Sequence, residues 1–163
     1  MRFVVDCMLG SLARWLLILG HDVRYDRAWD DETLLRIAGE EGRTLVTRDR
    51  KLAERRVLRD RILIGSQVLE EQIRQILREK GLGVDPRRLF RRCLDCNLAT
   101  EEAPPASVRD AVPPYVFRTQ KRFTRCRGCG KIFWRATHVA RMLERLREEF
   151  RIPVEEEGGG GGA

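Results

Sequence analysis

Two Cys-x-x-Cys pairs, Cys93/Cys96 and Cys126/Cys129, constrain this chain more than any other feature. Each pair lets two sulfurs converge on one ion, and four sulfurs complete a tetrahedron around zinc with no position left for water, so the metal is expected to be structural. In a reducing compartment such spacing points to metal before disulfides. Arg92, Arg125, Arg127 and Lys131 flank the pairs and should favour thiolate over thiol. A module this small has little core, so the metal would supply much of its folding energy. The fifth cysteine, Cys7, follows an apolar run and reads as a buried apolar residue.

Upstream of the cysteines, strand and helix signals alternate. Residues 2–6 are a short apolar strand, and Ser11 is placed to cap a helix over residues 12–19. Leu12, Trp15, Leu16 and Leu19 recur there at helical spacing, and Gly20 stops the helix. A strand at 22–25 leads to a helix capped by Asp30 or Asp31, running to about residue 41 and ended by Gly42. Strand 44–47, short helix 50–56, strand 61–64 and helix 70–80, stopped by Gly81, complete the series. This order predicts an α/β fold: a mostly parallel sheet with helices on both faces, and ligands beyond the carboxyl ends of its strands.

Near residues 82–90 the pattern changes to prolines, arginine pairs and the cysteines. The expected division is an α/β domain over 1–85, a zinc ribbon with a terminal helix over 86–150, and a disordered acidic, Gly-rich tail over 151–163. Within the ribbon, 103–105 and 112–114 read as loop, 132–134 as an aromatic strand and 139–149 as the last helix.

Charge is segregated along the chain. Residues 1–85 carry 16 Lys/Arg against 15 Asp/Glu, whereas residues 86–147 carry 15 against 5. A cationic block of this kind favours a phosphate backbone as partner. Phe123, Phe133, Trp134 and Tyr115 lie among these bases. Such rings either stack on unpaired bases or form the ribbon's small core. Phe133 reads as core, Trp134 stays open between the two, and His138 touches RNA or caps the last helix. No stretch approaches the roughly 20 apolar residues of a membrane helix. Asp6 interrupts the N-terminal apolar run, which therefore does not resemble a signal peptide. A cytoplasmic protein without membrane partners is expected.

Four aspartates fall at the carboxyl edge of the expected sheet: Asp6 after the first strand, Asp30 and Asp31 after the second, and Asp49 after the third. Clustered carboxylates repel unless a cation compensates them. An all-oxygen donor set suits magnesium or manganese, which can align a water with a phosphodiester and neutralise the leaving oxygen. Ser11, Arg14, Arg48 and Lys51 could hold the phosphate oxygens. Each residue also has a plainer use: Asp30 or Asp31 as helix cap, Asp49 as cap or turn residue, and Arg14 as a solvated charge. Asp6, set between apolar neighbours, most needs a partner.

Asp6-x-Met8-Leu9-Gly10-x-Leu12-Ala13-Arg14-Trp15-Leu16, with Leu19-Gly20-x-Asp22-Val23-x-Tyr25, resembles the opening of the Mut-seven C-terminal RNase domain family. Residues 43–49, Leu89-Phe90-x-Arg92-Cys93-x-x-Cys96-Asn97 and Phe133-Trp134-x-x-x-His138 are similar to its later motifs. The resemblance covers about residues 1–143. It implies a PIN-like fold and metal-dependent hydrolysis of RNA. Asp6 and Asp49 would be the principal ligands, Asp30 or Asp31 the supporting acid, and the ribbon an aid to RNA binding. Ribosome or tRNA are candidate partners. Leu17 and Ser11 stand where that family often carries a basic residue, which removes positive charge near the site. Two other readings are a non-catalytic RNA- or ribosome-binding zinc-ribbon protein and the toxin of a toxin–antitoxin pair. The fused ribbon is unexpected in a minimal toxin.

Overall fold

A computed structural model of the chain describes residues 1–55, 60–134 and 137–155, without the side chains of 137 and 138. Its first half is a four-stranded parallel sheet of order β2-β1-β3-β4. The strands are β1 (Arg2–Val5), β2 (Asp22–Arg24), β3 (Thr44–Thr47) and β4 (Arg61–Leu63). Helix α1 (Gly10–Ile18) follows β1, α2 (Asp31–Glu41) follows β2, α3 (Arg50–Glu54) follows β3 and α4 (Leu69–Lys80) follows β4. The strand side chains divide between two cores. Phe3, Val5, Val46 and Ile62 pack with α1 and α4, while Val4 and Leu45 pack with α2 and with Leu52 of α3. Helices therefore cover both faces, as period-two strands buried on both sides require.

The helix starts refine the sequence reading. Asp30, not Asp31, caps α2, accepting the Thr33 N–H at 2.9 Å. Ser11 caps nothing. A single 3-10 turn, Cys7–Leu9, precedes α1, and Asp6 caps that turn by accepting the Met8 N–H. The helix thus begins before Ser11, which sits exposed in its first turn. Of the expected helix 50–56, α3 occupies Arg50–Glu54, and Arg56 lies outside the described residues. Cys7 is exposed rather than buried, because the turn after β1 carries it outward while Leu9 points into the core.

The second half is an antiparallel sheet of β5 (Thr100–Ala103), β6 (Phe123–Cys126) and β7 (Ile132–Trp134), in that order. Two segments expected as loop are regular in part, with Pro104, Val112 and Pro113 remaining outside any helix or strand. Ala103 ends β5, paired with Phe123, and Pro105 and Pro114 open a 3-10 turn (Pro105–Val108) and helix α5 (Pro114–Thr119). Proline suits those positions because a first-turn N–H has no helical acceptor anyway. Register overturns the core assignment of Phe133 and places Trp134, left open by the sequence, in the core. Trp134 lies opposite Phe123 and packs with Phe117 and Ile132 on the small ribbon core, whereas Phe133 is opposite Thr124 on the other face. Tyr115 is exposed.

After β7 the chain returns to the first sheet. Helix α6 (Thr137–Glu144) continues as a π turn, Arg145–Glu149. Val139, Leu146, Phe150 and Ile152 join the core of α1 and α4. Phe150 meets Trp15 at 4.8 Å between ring centroids, and the Arg145 guanidinium lies 5.6 Å from the Trp15 ring and 5.0 Å from the Phe150 ring. The expected tail begins with this packing, and residues 156–163 lie outside the described part. No helix among the described residues is long and apolar enough to cross a membrane.

A polar clamp joins the two halves at the free edge of β2. Asn97, at φ 59°, accepts the Val23 N–H on its side-chain oxygen at 3.0 Å and donates its amide to Asp22 Oδ1 at 2.7 Å. Asp22 also receives Arg43 at 2.6 Å and lies 3.7 Å from Arg92. Burial works against the Asp22 carboxylate, but hydrogen bonds from Arg43 and Asn97 outweigh it and hold its pKa below the ordinary value.

Candidate functional site

The sheet order places β1 between β2 and β3, so successive connections leave β1 in opposite directions. The crevice at the carboxyl ends of β1 and β3 is thus the topological switch point where ligands of such sheets bind. Asp6 lies there, 6% exposed, with its N–H on the Val46 carbonyl at 3.0 Å. Its Oδ2 accepts Thr47 Oγ1 at 2.6 Å, and its Oδ1 accepts the Met8 N–H at 3.3 Å. The same Thr47 oxygen accepts the Asp49 N–H at 2.9 Å. One buried hydroxyl therefore ties Asp6 to the backbone of Asp49. Sequence reading missed Thr47, although a hydroxyl closing an otherwise apolar strand was the available signal.

Asp49 is exposed and caps α3, its Oδ1 accepting the N–H groups of Lys51 at 2.7 Å and Leu52 at 3.2 Å. Among the described residues no such bond reaches its Oδ2. Asp30 is held below the ordinary carboxylate pKa by its hydrogen bonds from Thr33. Asp31 is exposed in the first turn of α2, with no hydrogen bond or ion pair among the described residues. All four aspartates follow strands of one parallel sheet and so share its carboxyl edge. Among the described residues, however, they do not form a group of three or more converging metal-ligand side chains.

Beside this edge lies a cavity of about 910 Å³. Ser11, Arg14, Arg24, Arg27 and Arg48 line it, together with Trp29 and residues 94–97 of the first cysteine pair. None of the four aspartates lines it, nor does Lys51. Arg14 and Arg48 therefore face one space, while Lys51, exposed on α3, lies apart from it.

The cysteines do converge. The Sγ atoms of Cys93, Cys96, Cys126 and Cys129 all lie within 4.8 Å of one another, and Cys93 and Cys129 are 3.7 Å apart. A tetrahedral zinc with Zn–S bonds of ~2.3 Å requires sulfurs about 3.8 Å apart, so the four side chains are positioned to hold one metal ion. Thiolate support comes first from the backbone. N–H groups of Cys129 and Gly128 bring the Cys126 pKa down to about 7, whereas hydrogen bonding to Cys129 pushes Cys96 up to about 12. The flanking bases are engaged elsewhere, Arg127 with Glu101, Lys131 with Asp95 and Arg125 with the Ser107 carbonyl. The Lys131–Asp95 pair bridges the two knuckles. A Cβ at Gly128 would stand 2.8 Å from Cδ1 of the exposed Leu98 side chain, which would have to shift, and 3.4 Å from Cys96 Sγ.

A family model described as the Mut7-C RNAse domain matches residues 1–146. No curated protein and no solved structure matches the chain.

Proposed function

Because the chain belongs to the Mut7-C RNAse domain family, a ribonuclease-type family, we propose that it hydrolyses RNA phosphodiester bonds at the carboxyl edge of its parallel sheet. Asp6 and Asp49 would hold a magnesium or manganese ion there. The observation that carries this reading is the shared Thr47 hydroxyl, which joins a nearly buried carboxylate to the residue bearing an exposed one. The donor set fits a hard cation: magnesium commonly takes one or two carboxylates and keeps water at its remaining positions. When bound, the ion supplies charge neutralisation at the reacting phosphate. The chain's own residues do the rest. Thr47 fixes the Asp6 carboxylate by donating to Oδ2. Asp30 is committed to the α2 cap, so Asp31 is the freer supporting acid. Ser11, Arg14, Arg48 and Lys51 hold phosphate oxygens.

The cysteine cluster we assign to structural zinc, as four thiolates leave no open coordination position. The ribbon around it would steady the RNA. A PIN-like ribonuclease of this kind would work in the cytoplasm, with the ribosome or tRNA as candidate sources of substrate. Whether cleavage is endo- or exonucleolytic follows from product lengths on a circular RNA, which only an endonuclease opens.

The test is cleavage of labelled RNA by purified protein with and without Mn²⁺. Activity that needs the ion, and that Asp6→Asn and Asp49→Asn each abolish, supports the assignment. An active Asp6→Asn protein overturns it. A second reading, a non-catalytic RNA-binding protein, is favoured by the separation of the arginine-lined cavity from the aspartates. It requires RNA binding with no cleavage under any divalent ion.

A further inference from the structure

The cavity beside the acidic edge has an unusual charge state. Four guanidinium groups line it, from Arg14, Arg24, Arg27 and Arg48. Arg14, Arg27 and Arg48 have no hydrogen bond or ion pair among the described residues. Arg24 is 3.6 Å from Glu41 and stacks 5.5 Å over the Trp29 ring. Asp95 also lines the cavity, but Lys131 already neutralises it. Uncompensated like charges in one concave wall repel each other and are relieved by a polyanion.

Apolar and aromatic residues share the rest of the lining with the polar Ser11, Gln67, Gln72 and Asn97. Met8, 64% exposed, stands there with Trp29 and Leu94. Guanidinium groups beside apolar and aromatic surface suit phosphates with unstacked bases, the features an unpaired strand presents and an A-form duplex hides. Residues 94–97 of the first cysteine knuckle also line the cavity, held against β2 by Asn97. The aspartates do not line the cavity, but three of its lining residues adjoin them along the chain. Cys7 and Met8 follow Asp6, and Arg48 lies between Thr47 and Asp49.

We propose that this groove, lined in part by the metal-binding knuckle, binds a single unpaired RNA strand and leads it to Asp6 and Asp49. Phosphates rest on Arg14, Arg24, Arg27 and Arg48, and a base lies against Met8, Trp29 and Leu94. The substrate class is therefore single-stranded RNA. The proposal rests on the ribonuclease reading for its direction toward the aspartates, but its binding chemistry can be measured apart from cleavage.

The experiment is fluorescence anisotropy of a labelled 2′-O-methyl oligoribonucleotide, alone or annealed to its complement, with the full chain and no added divalent ion. The single strand should bind about tenfold or more tighter than the duplex. Arg24→Gln and Arg27→Gln should each weaken single-strand binding about fivefold or more. Each should also reduce the slope of log affinity against log salt by about 0.7. Arg36→Gln, which removes a charge paired with Glu40 on α2, should change neither. Equal or tighter duplex binding overturns the proposal, as does an unchanged affinity and salt slope in an Arg14→Gln/Arg27→Gln double variant. A protein that cleaves no RNA with any metal but binds as described loses the nuclease reading and keeps the groove. A protein that cleaves RNA yet binds it indifferently to these arginines keeps the nuclease reading and loses the groove.

Discussion

The side-chain oxygen of Asn97 takes the hydrogen bond from Val23 N that a further strand would otherwise accept, at 3.0 Å. Strand β2 is the edge of the parallel sheet, and an uncovered edge invites pairing with other chains. Asn97 follows Cys96 directly, so the segment that covers the edge is also the segment that organises the metal site. Asn97→Ala should leave the Val23 N–H and part of Asp22 without partners. The expected cost is about 1–3 kcal/mol, measured by urea unfolding. A cost near zero would mean that water replaces the amide without loss.

Thr47 is fully buried between Asp6 and Asp49. Thr47→Val keeps the shape of the side chain and removes the hydroxyl. It should lower stability by about 1–3 kcal/mol through the unmet Asp6 oxygen and Asp49 N–H. RNA cleavage should fall at least about tenfold, since a loosened Asp6 no longer presents a fixed ligand geometry. Thr47→Ser, which restores the donor, should recover most of the activity.

Metal content tests the cysteine cluster directly. The protein as purified should carry one zinc per chain by elemental analysis, and Cys93→Ser should lower that content sharply. Removing the ion with a strong chelator should lower the melting temperature, because the energy of binding the ion to four converged sulfurs contributes to folding of so small a module. Full metal loss with an unchanged melting curve would contradict a structural role.

His21 predicts a pH dependence. It is 2% exposed, its Nδ1 has no hydrogen-bond partner among the described residues, and burial brings its pKa from 6.5 down to about 4. The unfolded chain therefore binds a proton that the folded chain refuses between those values. Stability should be whole above pH 6.5 and decline as pH falls toward 4. The total loss is about 3 kcal/mol from this group alone. His21→Leu should flatten that part of the profile, measured by thermal unfolding across the range.

The return of the C-terminal segment onto α1 is a packing event with a measurable cost. Phe150 is fully buried against Trp15, so Phe150→Ala should destabilise the protein by about 3–5 kcal/mol. If the melting curve of the first sheet is unaffected, the two halves are energetically separate despite sharing a core.

Much of this architecture was readable along the chain. Gly42 and Gly81 stop α2 and α4 at left-handed φ values of 57° and 59°, and the four parallel strands fall where short apolar runs alternate with helical spacing. Signals failed where a local rule met a tertiary one. Ser11 has the chemistry of a cap, but Asp6 had already started the turn. Phe133 and Trp134 look alike as sequence, and only the pairing of Trp134 with Phe123 decided which ring entered the ribbon core.

Taken alone, the order of residues determined the βα alternation, the placing of acids after strands and the pairing of four thiols, because each depends on backbone periods and spacings within a few residues. The tertiary structure decided that one threonine hydroxyl serves both Asp6 and Asp49. It also decided that Asn97 seals β2, and that four arginines from separate segments line one cavity. Such meetings join positions as far as 75 residues apart. They are chosen by which surfaces bury against each other, a property of packing that no local pattern carries.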